Sequence, residues 1–157
     1  MRVPEIVREL SRLVALEVDA VHAYEAAVAT FGARTAIGQE LQLFMLEHQR
    51  HALELHATIT GLGYSPPEVV PDVKGVVIGA LSAPARPLSP EEVLEAMRGN
   101  EQLTGSVWAK ALAKPFPAGL RALLERCRGD ERHHLEWIER ALSRRLWERE
   151  GAVAHAP

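Results

Sequence analysis

The chain has 157 residues, 47% of them hydrophobic, 25% charged and 5% aromatic, with a formal net charge of -3 and one cysteine. Such a length and apolar share suit one folded domain and exclude an unfolded chain, while a lone cysteine excludes a disulfide scaffold or a thiolate metal cluster. The slightly acidic balance argues against nucleic-acid binding, and no apolar run approaches the roughly 18 residues of a membrane span.

The first ten residues, MRVPEIVREL, lack the apolar stretch of a signal peptide, which predicts a soluble cytoplasmic protein. Proline then divides the chain. The ten prolines lie at 4, 66, 67, 71, 84, 87, 90, 115, 117 and 157. Proline breaks helix interiors but suits the first turn, so the proline-free stretches are predicted helices. Two glycines interrupt the first stretch between Thr30 and Gly38. The predicted elements are helix A over 4–31, helix B over 36–60, helix C over 90–113 and helix D over 118–149. Gly61 and Gly63 end helix B as C-terminal glycines do. Ser89-Pro90-Glu91-Glu92 opens helix C, with serine as N-cap, proline at the first position and glutamate at the third. Short A–B and C–D connections make antiparallel hairpins. The B–C connection, 61–89, is long enough to run the length of a bundle, and its apolar piece Val76–Leu81 is predicted to pack along the side. Residues 1–150 thus read as one all-α four-helix domain and 151–157 as a flexible tail.

Each helix carries a heptad-type apolar stripe with a polar insertion at its middle. On helix A the stripe from Ile6 to Phe31 contains Glu17. On helix B, Ile37 to Leu62 contains His48 and His51. On helix C, Leu94 to Ala111 contains Glu101, and on helix D, Leu120 to Ala141 contains Glu131 and His134. At 1.5 Å per residue, counting from each hairpin turn puts these insertions within about one helical turn of the same height. Unpartnered buried carboxylates cost several kcal/mol each, a cost that a bound cation removes. The halves also repeat. Glu17-x6-Tyr24-x2-Ala27 matches Glu101-x6-Trp108-x2-Ala111; His48 and His51 follow Glu17 by 31 and 34 positions, and Glu131 and His134 follow Glu101 by 30 and 33. Two similar helical hairpins related by a pseudo-two-fold explain this spacing.

This pattern resembles the ferritin-like superfamily of di-iron carboxylate bundles, in which two helices each supply a Glu and two each supply Glu-x-x-His. The strings LEVDAVHAYEAA, EHQRHALEL, NEQLTGSVWAKAL and DERHHLEWIERAL are most similar to a bacterial family of small ferritin-like proteins of unassigned function. The resemblance covers about residues 5–145 and implies an up-down-down-up bundle. It also implies a core metal site of Glu17, His48, His51, Glu101, Glu131 and His134. Helix B departs from the pattern, because His48 stands where the superfamily has a Glu. Three carboxylates with three neutral imidazoles leave two divalent ions at a formal charge of +1. Glu can bridge two metals, whereas a neutral imidazole binds one. The exchange therefore favours a single-metal site, a different metal or a less oxidising iron centre. The resemblance implies one or two divalent metal ions, iron ahead of manganese or zinc, with oxygen or peroxide as co-reactant in a ferroxidase- or peroxidase-like oxidoreductase of stress or metal handling.

The alternatives are a non-catalytic binding or assembly bundle that has lost redox chemistry, and a homo-oligomeric iron-storage cage, for which a separate short C-terminal helix is missing from the prediction. A buried polar layer can also serve only to fix register in a bundle. Tyr24, Trp108 and Cys127 read as core packing, with Tyr24 as an outer partner of the site the minor alternative. His22, His56, His133, Glu25, Glu47 and Asp130 read as surface residues, and the arginines from 140 to 149 as a solvated face.

Overall fold

The turns fall where backbone chemistry demands them. The computed structural model describes residues 1–67 and 87–153, with side chains up to Arg149. Four long helices, α1 (Val3–Phe31), α2 (Ala36–Gly61), α3 (Pro90–Leu112) and α4 (Ala118–Ser143), are followed by a short α5 (Leu146–Val153). Gly32 leaves α1 at a positive φ of 85°, a conformation that favours glycine. Thr35 then caps α2: its Oγ1 accepts the Gly38 N–H at 3.0 Å and donates to the Gly32 carbonyl at 3.0 Å. Gly63, at φ 82°, turns the chain away after α2. Ser89 and Glu92 form the reciprocal capping box that the sequence predicts for α3.

The apolar stripes meet in two layers. The lower layer joins Ile6, Leu10 and Leu13 of α1 to Leu55 and Ile59 of α2, Trp108 and Ala111 of α3, and Leu124 and Cys127 of α4. The upper layer joins Tyr24 and Ala27 to Leu41 and Phe44, Leu94 and Met97, and Ile138 and Ala141. The lower layer therefore holds the start of α1, the ends of α2 and α3, and the start of α4. That order makes α1 and α4 run up and α2 and α3 run down: the up-down-down-up bundle. α1 packs along α2, α3 along α4, and α1 against α3. No helix among the described residues is long and apolar enough to cross a membrane.

Two differences from the sequence reading concern the C-terminal region. Helix D does not run unbroken from 118 to 149. It stops at Ser143, and Arg145 turns the chain at φ 48°, the one non-glycine positive φ among the described residues. A straight helix would carry Leu146 and Trp147 past the end of the bundle. The turn instead packs both against the upper apolar layer, and the Arg145 guanidinium lies 5.6 Å from the Trp147 ring centre. This burial offsets a left-handed residue's cost of roughly 1–3 kcal/mol. The second difference follows from the first: a separate short C-terminal helix exists, and 151–153 of the expected tail belong to it. Residues 154–157 and the apolar piece Val76–Leu81 lie outside the described residues.

Candidate metal centre

Between the two apolar layers lies a polar one. Glu17, His48, His51, Glu101, Glu131 and His134 are each at most 1% exposed, so all six residues singled out by spacing are brought together. Apart from them, the buried polar residues among those described are Asn100 and Thr104. The heptad stripes explain the convergence. Each side chain occupies a core position on its helix, and the pseudo-two-fold sets all six at one height.

Glu17 and Glu131 face the two histidines of α2. Glu17 Oε2 lies 2.8 Å from His48 Nδ1 and 3.1 Å from His51 Nδ1. Glu131 Oε1 lies 3.3 and 3.2 Å from the same nitrogens. The other edge of the His48 ring faces α3, with Nε2 3.5 Å from Glu101 Oε1. His134 Nδ1 is 3.9 Å from Glu101 Oε2. The Phe44 ring lies against that of His134, with centroids 4.3 Å apart.

A second ring of groups orients these side chains. The Trp108 Nε1–H donates to Glu17 Oε1 at 2.9 Å, and the Tyr24 hydroxyl donates to Glu101 Oε1 at 2.5 Å. His51 Nε2 lies 3.0 Å from Asp130 Oδ2, and His134 Nε2 lies 2.6 Å from Glu47 Oε2. Arg50 holds Asp130 at 2.7 Å. Each of these two histidines thus spends Nε2 on an outer carboxylate and turns Nδ1 inward, the arrangement that fixes a ligand imidazole. The sequence reading missed Trp108, Glu47 and Asp130 in this role and gave it to Tyr24 only as a minor alternative. Glu47 and Asp130 are not idle surface residues, and Tyr24 and Trp108 do more than pack. A signal existed: Glu47 and Asp130 each precede by one the first residue of the i, i+3 pair, at matching positions of the two halves.

Burial and charge set the protonation of this layer. Burial opposes ionising Glu17, but His48 and His51 outweigh it and hold the carboxyl down to about 2. Glu131 moves up to about 8, through burial and the facing Glu17 charge, with His48 pulling against both. Burial works against a charged His51, yet its carboxylate partners Glu131 and Glu17 raise it to about 10. His48 is raised as well by Glu131 and Glu17 against the same burial, while burial lowers His134 to about 3. The metal-free layer therefore holds protons shared among Glu131, His48 and His51. Even so, His48 Nε2, Glu101 Oε2, both Glu131 oxygens and His134 Nδ1 are buried with no hydrogen bond. Buried polar atoms are rarely left unpaired, and five of them on facing carboxylates and imidazoles fit a cation. Two sets of ligand atoms lie close enough to hold one: Glu17, His48, His51 and Glu131, and His48, Glu101, Glu131 and His134. Carboxylate and imidazole suit iron, manganese or zinc. A cleft of about 280 Å³ between α3 and α4, lined by Gln102, Gly105, Arg128, Arg132 and Leu135, reaches Glu101 and Glu131.

Among solved structures the chain is similar to a ferritin-like, diiron-carboxylate protein from Bacillus anthracis strain Ames. The two are 26% identical, the likeness covers 90% of this chain and 99% of that one, and the TM-score is 0.70. No family model and no curated protein matches the sequence. The fold and the buried layer together define a ferritin-like four-helix bundle with a candidate metal centre in its core.

Proposed function

We propose that this is a metal-binding ferritin-like protein, with iron the favoured ion, that serves oxygen or peroxide chemistry or metal handling. One observation carries the reading: five orphaned polar atoms on a fully buried carboxylate–imidazole layer. Glu17, His48, His51, Glu101, Glu131 and His134 would hold one or two divalent ions. Bound ferrous iron would supply the electrons that reduce oxygen or peroxide. The chain's own contribution is to bind and shelter. Glu17 and Glu131 neutralise positive charge, Asp130 and Glu47 orient two imidazoles, and the apolar layers above and below exclude water. The ligands release protons as a metal enters, and Glu131, His48 and His51 are where those protons sit. The reading carries with it a cytoplasmic location.

His48 in place of a carboxylate favours a second reading, a bundle that keeps the fold without redox chemistry. Metal analysis of the purified full chain tests the first reading, alongside His48→Ala/His51→Ala and Glu131→Ala/His134→Ala variants. The wild type should hold metal and the variants should not. If it holds none, and ferrous, manganous and zinc ions all leave Tm unchanged, metal binding is wrong. Ferrous oxidation no faster than a no-protein control would leave binding without redox activity.

A further inference from the structure

We propose that the centre is asymmetric: Glu17, His48, His51 and Glu131 form one tight single-cation position, and Glu101 with His134 supports only a weaker second one. This rests on the metal-binding reading and concerns how many ions the centre takes. The four ligand atoms close a ring, whose two Glu17 edges are imidazole–carboxylate hydrogen bonds in the metal-free chain. Going round it, Glu17 Oε2 to His48 Nδ1 is 2.8 Å, His48 Nδ1 to Glu131 Oε1 is 3.3 Å, Glu131 Oε1 to His51 Nδ1 is 3.2 Å, and His51 Nδ1 to Glu17 Oε2 is 3.1 Å. Ligands about 2.0–2.2 Å from one ion stand about 2.8–3.6 Å apart, whether at tetrahedral or right angles. All four edges fall in that range. Two carboxylates and two neutral imidazoles also neutralise one dication. Trp108 on Glu17 and Asp130 on His51 hold two members of the ring in place, as Tyr24 and Glu47 hold Glu101 and His134, so the asymmetry lies in the ligand atoms themselves.

The second set is built from what remains. It borrows His48 and Glu131 from the first; Glu131 can lend its second oxygen, but His48 cannot serve both positions. A neutral imidazole offers one lone pair. With Nδ1 committed to the ring, His48 Nε2 carries hydrogen and faces Glu101 Oε1 at 3.5 Å. The His134 Nδ1 to Glu101 Oε2 separation, 3.9 Å, exceeds every edge of the first ring. A second dication would meet one unshared carboxylate and one unshared imidazole. A glutamate at position 48 would change this, because its two oxygens can serve two ions at once.

The test is calorimetric titration of the metal-free full chain with Zn2+, with circular dichroism to verify folding. The wild type should take one equivalent tightly and a second at least about 100-fold more weakly; single orienting groups at metal sites are worth about 10–100-fold in affinity. Glu17→Gln should weaken the first event by about 100-fold or more, and His134→Ala should remove the second event alone. His48→Glu should raise the tight stoichiometry from one to two. Two tight equivalents in the wild type, or loss of the first event in His134→Ala, overturns the asymmetry while leaving metal binding intact. No Zn2+ binding by the wild type overturns the asymmetry, and if ferrous and manganous ions also fail to bind, the metal-binding reading falls with it. Should His48→Glu fail to fold, wild-type stoichiometry and His134→Ala still decide.

Discussion

Removing one oxygen tests whether the outer hydrogen bonds matter energetically. Tyr24→Phe deletes only the hydroxyl that donates to Glu101 Oε1 at 2.5 Å, with both residues buried. The rest of the ring stays, so no large cavity opens. Glu101 Oε2 already lacks a hydrogen bond, and without Tyr24 the imidazoles facing the carboxylate stand off, His48 Nε2 at 3.5 Å from Oε1 and His134 Nδ1 at 3.9 Å from Oε2. A hydrogen bond to a charged group contributes about 1.5–3 kcal/mol, and leaving its acceptor buried and unmet costs at least as much. In a domain of this size each kcal/mol moves Tm by about 2–4 °C. The metal-free variant should therefore melt about 3–12 °C below the wild type. The assay is thermal unfolding by circular dichroism after chelation, with the exposed Tyr64→Phe as the control that should not move. A Tyr24→Phe protein melting within about 1 °C of the wild type would refute the argument, since that shift is below the cost of one lost buried bond.

The pH response of the metal-free chain has a determined sign. Glu131 rises from 4.5 to about 8 and His51 from 6.5 to about 10 on folding. Both hold protons more tightly when folded, so their contribution is full at low pH and fades as pH climbs through those values. Tm of the chelated chain should thus fall from about pH 7 to about pH 10, while the Tm gain from added Zn2+ grows over the same window because ligation displaces those protons; a flat Tm there contradicts the assignment. Gly38→Ala should destabilise by about 1–3 kcal/mol, because the new methyl meets the Gly32 carbonyl in the α1–α2 turn; urea denaturation measures it. Gly105 has open space beside it in the α3–α4 cleft. Gly105→Leu should slow Zn2+ uptake in stopped-flow measurements and leave the final stoichiometry unchanged; an unchanged rate would mean that ions enter elsewhere.

Much of this protein is written along the chain, because helix chemistry is local. Proline placement, the Thr30–Gly38 break and the Ser89 capping box located the four long helices within a few residues of where they fold, apart from the end of the fourth. The heptad stripes put Glu17, His48, His51, Glu101, Glu131 and His134 on inner faces at a common height, and all six are buried. Periodicity identifies the inner face of a helix, but it does not say which group across the interface comes within hydrogen-bond reach. Glu47 and Asp130 flank their stripes and read as solvated, yet inter-helix packing sets each against a histidine of the facing helix. The repeat even made Tyr24 and Trp108 look alike, as packing residues one heptad beyond a glutamate. Only the packing of α1 against α3 joins Tyr24 to Glu101 and Trp108 to Glu17, each reaching the other half's carboxylate. The turn at Arg145 was equally hidden, since nothing local stops that helix. It ends because Leu146 and Trp147 find apolar surface only by folding back, and that surface belongs to residues distant in sequence.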